Sequence, residues 1–373
     1  MISTLPQELV EEILSRVPVT SLRSLRSTCK GWFHQALFKD PRFIKKHFDK
    51  TRQYHALMLN HKVCSVISIH GANCDAETIF GVDGLTVVDL HDNVTKAFHH
   101  CDGLLLCTHP KSNMLVVRNP FSGKTRWIQQ QKPYYNSAYA MGYDKNELCH
   151  NYKILRLPCY YDHGKPESWK KLDVTTLEGD LRLEIYEFGS NSWRSLDAVT
   201  TQAFLQPCGV SLKGDTYWLS SNHKVFDYSL LSFDFSKESL QRLCVPSSLY
   251  EPCDSDTMAL SVVREEHLLL LYQSKKTLLV EIWITDEIET TFASWCMFLI
   301  VDLKPHVHFI WNPMSFFITD MEKEVVLCCH GFRDVSNRFC VLRMVPSGIS
   351  RWYLPTRAWH VPTLFGYVPA ELA

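Results

Sequence analysis

Apolar positions follow two rhythms along this chain. Over the first fifty residues they recur at helical spacing, and from about residue 54 they alternate in short runs broken by turn residues. In the first stretch Leu9, Ile13, Leu14 and Val17 fall on one side, with Glu8, Glu11, Glu12 and Arg16 on the other. Thr4 and Gln7 have capping-box spacing, Pro6 fits a first turn, and Pro18 stops the helix. Thr20 caps a second predicted helix, striped by Leu22, Leu25, Cys29, Trp32, Phe33 and Ala36, with Arg23, Arg26 and Lys30 facing water. Asp40-Pro41 opens a third through Phe43, Ile44 and Phe48. Helices this short depend on packing for their stability, and fifty residues make a poor core alone. Leu5, Pro6 and Leu9 also crowd the outer end. The missing surface must come from the rest of the chain or from another protein.

The second rhythm predicts strands. MLVVRN (114–119) and TRWIQQ flank PFSGK; LEIYEF (183–188) and SWRSL flank GSN. LLSFDF (230–235) and SLQRL flank SKE, and RFCVLRMV (338–345) and ISRWYL flank PSG. Further hairpins lie just upstream, GVSL-KGD-TYWLS before LLSFDF and SFFITD-MEK-EVVLCC before RFCVLRMV, which makes four strands per unit. Trp127, Trp193, Arg242, Trp295 and Trp352 each stand near a unit's end, at intervals of 66, 49, 53 and 57. Four strands in a repeat of roughly 50 residues is the size class of a β-propeller blade. The expected architecture is therefore a small all-α module followed by an all-β domain, a propeller of about six blades at that repeat length. HALMLN, KVCSVISI and GLTVVDL form the least regular unit, and Trp359–Pro369 is placed to pair with it and close the ring. Periodicity reports strands and not closure, so an open twisted sheet or a sandwich satisfies the same pattern. An aromatic recurring at strand spacing is a packing residue first, and the repeated Trp residues are read so.

Composition removes several classes. With 46% hydrophobic and 21% charged residues the chain folds, and a formal net charge of −1 gives no general field for nucleic acid or an anionic membrane. MISTLPQE lacks a signal-peptide pattern, and runs such as HLLLLY (267–272) fall far short of the ~20 residues that span a bilayer. A cytoplasmic or nuclear location is expected. The 14 Cys include no CxxC pair; His99-His100-Cys101 and Cys328-Cys329-His330 are too closely spaced for zinc and read as core groups. His306 and His308 share a strand face but lack an evident third ligand. Lys45, Lys46, Lys50 and Arg52 read as a solvated helix face. Nucleophile elbow, phosphate loop, HExxH and GxGxxG are absent from the sequence, so no catalytic residue, metal or cofactor is assigned.

LPQELVEEILSRVPVTSLRSLRSTCKGW followed by DPRFIKKH resembles the F-box, the three-helix motif that docks substrate receptors onto the Skp-type linker of cullin–RING ubiquitin ligases. Leu5-Pro6, Glu8-Leu9, Ile13-Leu14, Arg16-Val17-Pro18, Ser21-Leu22, Leu25-Arg26, Cys29-Lys30 and Trp32 stand in that family's order. The resemblance implies linker contact through Leu5, Pro6, Leu9, Ile13, Leu14 and Val17, with Leu22, Leu25, Cys29 and Trp32 filling the seam. DGLLLC…VVRNPFSGKTRWI, LEIYEFGSNSWRSL, GVSLKGDTYWLS, LLSFDFSKESLQRL, VEIWITDEIE and the terminal YVP are similar to the kelch-like F-box-associated domain of a large plant family. Gln241-Arg242 lacks that domain's Trp, and Trp295-Cys296 its Arg. The implied division is an F-box over 1–50 and a recruiting domain over 51–373. The implied function is the non-catalytic substrate-recognition subunit of an SCF-type ligase, with linker, cullin and RING subunits and a target protein as partners. A glycan or small-molecule receptor, with Tyr134-Tyr135 and Tyr160-Tyr161 as candidate platforms, and a propeller hydrolase are the other classes to weigh.

Overall fold

The computed structural model describes residues 6–15, 54–59, 62–66, 85–89, most of 96–353 and 363–367. Within 96–353 the longest stretches outside the description are 159–171, 174–182, 197–203, 250–256 and 305–312. The described residues form one helix and 26 strands in six antiparallel sheets.

The helix α1 spans Gln7–Leu14. It starts later than the capping box predicts: Pro6 occupies the N-cap without a side-chain cap hydrogen bond, and its carbonyl accepts from the N–H of Leu9 and Val10 at 3.0 and 3.1 Å. A proline donates nothing, so this first turn relies on backbone acceptance alone.

The first blade contains β1 (Tyr54–Leu59), β2 (Lys62–Val66) and β3 (Leu85–Asp89). The second is β4 (Lys96–Cys101), β5 (Leu104–Thr108), β6 (Met114–Arg118) and β7 (Thr125–Gln129). The third takes β8 (Ser137–Asp144), β9 (Asn151–Pro158), β11 (Glu184–Glu187) and β12 (Ser192–Ser195), skipping the two-residue β10 (Leu172–Asp173). The fourth adds β10 and β13 (Phe204–Leu205) to β14 (Val210–Leu212), β15 (Asp215–Asn222), β16 (Asp227–Asp234) and β17 (Ser239–Leu243). The fifth is β18 (Thr257–Val263), β19 (His267–Gln273), β20 (Leu279–Ile288) and β21 (Ala293–Asp302). The sixth is β22 (Pro313–Asp320), β23 (Val325–Arg333), β24 (Phe339–Val345) and β25 (Gly348–Tyr353). The last strand, β26 (Thr363–Tyr367), returns to the first blade.

That return closes the ring. β26 pairs with β1 from Tyr54↔Tyr367 to Met58↔Thr363, giving the first blade the order β26-β1-β2-β3. The innermost strands β4, β8, β14, β18, β22 and β26 stand next to one another in that order. Buried clusters fill the spaces between blades. One joins Leu106 and Val117 to Met141 and Ile154, and the next joins Leu155 and Ile185 to Trp218 and Phe233. A third joins Leu219 and Leu230 to Leu268 and Leu270, and a fourth joins Leu271 and Ile282 to Phe316 and Val326. Inner strands such as β9 and β19 bury residues on both faces because each blade is sandwiched by its neighbours, whereas the edge strands β7 and β12 bury one residue and none.

Antiparallel meanders send alternate connections to opposite ends of the ring. At one end lie short turns such as 102–103, 188–191, 213–214 and 235–238. Asp102-Gly103 (φ 48 and 74) and Lys213-Gly214 (φ 50 and 87) have the doubly positive φ of tight hairpin turns. At the other end leave 159–183, 196–209, 244–256, 303–312 and 354–362. Because β1 opens beside the last residue of β26, the segment before residue 54 joins the ring at the short-turn end.

Candidate interaction site

Helix α1 divides its apolar residues. Val10 and Leu14 are 8% and 2% exposed and are covered within the chain, together with Ser15, whose Oγ donates to the Glu12 carbonyl at 2.8 Å. Leu9 and Ile13, one turn apart, are 50% and 51% exposed, and Pro6 beside them is exposed as well. Of the residues that the sequence points to for linker contact, Pro6, Leu9 and Ile13 thus form an open apolar strip, and Leu14 sits beneath it. Leu5, Val17, Leu22, Leu25, Cys29 and Trp32 lie outside the described residues.

The ring next to this helix is tied blade to blade by polar groups that the sequence pattern does not reveal. The repeated tryptophans reach back to the preceding blade: Trp193 Nε1 donates to the Gln129 carbonyl at 2.9 Å, and Trp295 Nε1 to the Cys244 carbonyl at 3.0 Å. Both therefore act in packing, as their spacing suggests. Arg126 lies 4.5 Å over the Phe188 ring and donates to the Phe188 carbonyl at 2.8 Å. Lys153, almost buried, donates to Glu238 at 2.9 Å, and Arg194 bridges Glu187 and Glu238.

Two histidine groups were the nearest approach to chemistry. On the inner strands, His99 Nε2 stands 2.7 Å from Ser211 Oγ and 3.2 Å from the Met141 carbonyl, and Ser211 Oγ donates to that same carbonyl at 2.6 Å. Burial and then the neighbouring His100 push His99 down to about 3, so the imidazole is neutral. A hydroxyl whose proton is already given to a backbone oxygen, in a pocket 5% and 8% exposed, is a strut across three blades. At the short-turn end, Asp102 accepts from His150 Nδ1 at 2.8 Å and Tyr152 OH at 2.5 Å, and His150 stacks on Tyr143 with ring centroids 3.8 Å apart. The hydrogen bond to Asp102 raises the His150 pKa. Among the described residues no three His, Cys, Asp or Glu side chains converge as metal ligands. His306, His308, Tyr134, Tyr135, Tyr160, Tyr161 and the Lys45–Arg52 cluster lie outside the description.

The cysteines split. Cys101, Cys107 and Cys328 are buried, with burial pushing Cys107 up to about 12, whereas Cys244 and Cys296 are exposed and correct the reading of all of them as core thiols. A cavity of about 370 Å³ opens on the rim between the second and third blades, lined by Trp127, Tyr186, Asn191, Ser192 and Trp193 among others.

An exposed apolar helix strip attached to a closed six-bladed ring is the combination that the comparisons explain. The F-box domain model matches residues 2–40, and the F-box associated beta propeller domain model matches residues 55–371. The chain belongs to the F-box proteins that carry an F-box-associated propeller. Among its relatives is the Arabidopsis thaliana F-box protein At3g17560, 46% identical over 408 residues, covering 98% of this chain and 96% of that one. The Arabidopsis F-box protein At5g47300 is 40% identical, with 99% and 86% covered, and the F-box/kelch-repeat protein At1g62270 is 38% identical, with 99% and 97% covered. The open strip on α1 lies within the F-box match, and the six-sheet ring lies within the match to the associated propeller domain.

Proposed function

We propose that this F-box protein is a substrate-recognition subunit of an SCF-type cullin–RING ubiquitin ligase, acting in the cytoplasm or nucleus. The observation that carries the reading is the pair Leu9 and Ile13, half exposed on a helix inside the F-box match. Burying both against a Skp-type linker removes apolar surface from water that the propeller leaves uncovered, at roughly 1 kcal/mol for each of these half-exposed side chains, about half the value for full burial. The chain supplies position and not bond-making. The F-box fastens to the linker, connections at the far end of the ring hold the target, and the target's lysines reach a high effective concentration near the recruited conjugating enzyme. Support for the far end comes from topology: the N-terminal module joins at the short-turn end, and the longer connections, apart from that between β2 and β3, leave from the opposite end.

The test is parallel affinity capture, with the proteasome inhibited, of the full chain and of Leu9→Asp/Ile13→Asp. The expected result is loss of Skp-type linker and cullin from the double variant with retention of the same target proteins. Linker recovered equally with both forms, or with neither, overturns the adaptor reading.

A further inference from the structure

Six large apolar side chains remain exposed among the described residues: Leu9 and Ile13 on α1, Trp127 on the rim, and Phe292, Met297 and Ile300 together on the β20–β21 hairpin. That hairpin is unusual in three independent ways. Its strands, ten residues each, are the longest described, and among the described residues β21 ends its sheet with no further strand paired to it. β19 pairs β20 only from Val280 to Ile284, so from Asp286 to Ala293 the hairpin continues as a two-stranded arm. Its charge is one-sided: residues 279–302 carry Glu281, Asp286, Glu287, Glu289 and Asp302 and contain no Lys, Arg or His, in a chain of net charge −1.

Register shows what this edge offers. Glu281 lies opposite Ile300, Trp283 opposite Met297 and Thr285 opposite Trp295, and directly opposed residues share a face. The same face therefore presents Ile300, Met297 and Trp295 in file beside a carboxylate. Phe298 is the extra residue of a bulge, and beyond it Leu299 and Val301 turn into the core against the sixth blade. Met297 and Ile300 are 48% and 47% exposed, and Phe292 at the arm's tip is 40% exposed next to Glu289. Sheets blunt exposed edges with lysine, proline, bulges or very short strands, and of these β21 carries only the bulge at Phe298.

We propose that β21 is a docking edge for an extended segment of a partner protein in which apolar residues alternate with Lys or Arg, added as a fifth strand to the fifth blade. Main-chain hydrogen bonds along the edge provide attachment, Met297 and Ile300 receive the alternate apolar side chains, and the exposed carboxylates of Asp286, Glu287 and Glu289 select basic residues. Among the described residues of this hairpin only Asp302 forms an ion pair, with the exposed Lys304 at 3.7 Å. Under the adaptor reading that segment belongs to the recruited target, but the edge chemistry stands without it.

The probe is a fluorescein-labelled decapeptide of alternating isoleucine and lysine, titrated onto the full chain and followed by anisotropy. Binding is expected to weaken as salt rises. It is expected to fall at least about tenfold in Met297→Lys/Ile300→Lys and in Asp286→Lys/Glu287→Lys/Glu289→Lys, as for loss of a binding centre. The bound peptide should shield the Cys296 thiol from alkylation and leave Cys244 open, both being exposed in the free chain. The five substituted positions are exposed, so the thermal midpoint should stay unchanged. Equal binding by either variant, equal binding of a composition-matched scrambled peptide, or equal shielding of both thiols overturns the proposal. Two further outcomes also overturn it by naming another occupant. One is a dimer in sedimentation that Met297→Lys/Ile300→Lys dissolves. The other is a carbodiimide cross-link from Glu287 or Glu289 to Lys45, Lys46 or Lys50 of the same chain. Because the peptide assay needs no linker, its failure is separable from failure of linker capture.

Discussion

Among the described residues His99 carries a clear pH signature. Its folded pKa lies near 3, below the ordinary histidine value of about 6.5, because burial and then the neighbouring His100 disfavour the charged ring more than the Met141 carbonyl favours it. A histidine held neutral in this way binds its proton more readily in the unfolded chain. Its contribution is thus fully present above the unfolded pKa and is lost as pH falls from there toward the folded one. The slope from this single group is about 1.4 kcal/mol per pH unit in that window. In urea unfolding of the full chain at pH 7.5 and 5.5, His99→Gln is expected to show a smaller drop between the two pH values than the parent, whatever its stability at pH 7.5. A parallel drop in both would show that His99 titrates freely. This strut was invisible beforehand, since His99-His100-Cys101 reads only as three residues on a strand and its partners lie 42 and 112 positions away. Trp193 and Trp295 were legible in kind, because their spacing marked them as packing groups, whereas Trp127 departs from that reading and stands 49% exposed on the rim. Their carbonyl acceptors on the previous blade were not.

At the scale of elements, hairpins with strong turn chemistry were readable and short or displaced strands were not. Asp102-Gly103 and Lys213-Gly214 sit between alternating apolar runs, and both form the tight turns their sequence calls for. β10 and β13 are two residues long and pair with each other across residues 174–203, so no local pattern could register them. The start of α1 also departs from its capping-box motif, with Pro6 taking the cap position. β8 holds a constraint of its own. A Cβ on Gly142 would stand 2.2 Å from the Gly214 carbonyl and 2.3 Å from the Phe235 ring, where the Tyr143 N–H donates to Gly214 at 3.1 Å. Gly142→Ala is therefore expected to destabilise the ring by about 1–3 kcal/mol, as overpacking does, read as a lower urea midpoint. An unchanged midpoint would mean that the third and fourth blades separate at little cost. The acidic arm after β20 could have been noticed earlier, because its run of carboxylates without a single basic residue is plain in 279–302.

For the whole molecule, the repeat length foretold the ring, and the closing partnership was specific enough to be named in advance: a terminal segment against the irregular first unit. β26 supplies that unit with its inner strand through a register of five residue pairs. Removing residues 363–373 leaves β1 with a bare edge facing the axis, where unpaired backbone groups invite association. The shortened chain is expected to elute as soluble aggregates in size-exclusion chromatography. A monomer with the parent's thermal midpoint would show that five blades and a partial sixth are self-sufficient.

The same partnership sets an order of events during synthesis. Helix α1 leaves the ribosome before the ring, and β26 after the other strands of the ring. A nascent or prematurely terminated chain thus carries its F-box helix before its ring is whole. Under the adaptor reading, such a fragment would occupy a linker molecule and bring nothing to it, acting as a competitor in its own assembly line. On that reading, completion of the ring is the step that turns an occupant of the ligase into a working part of it.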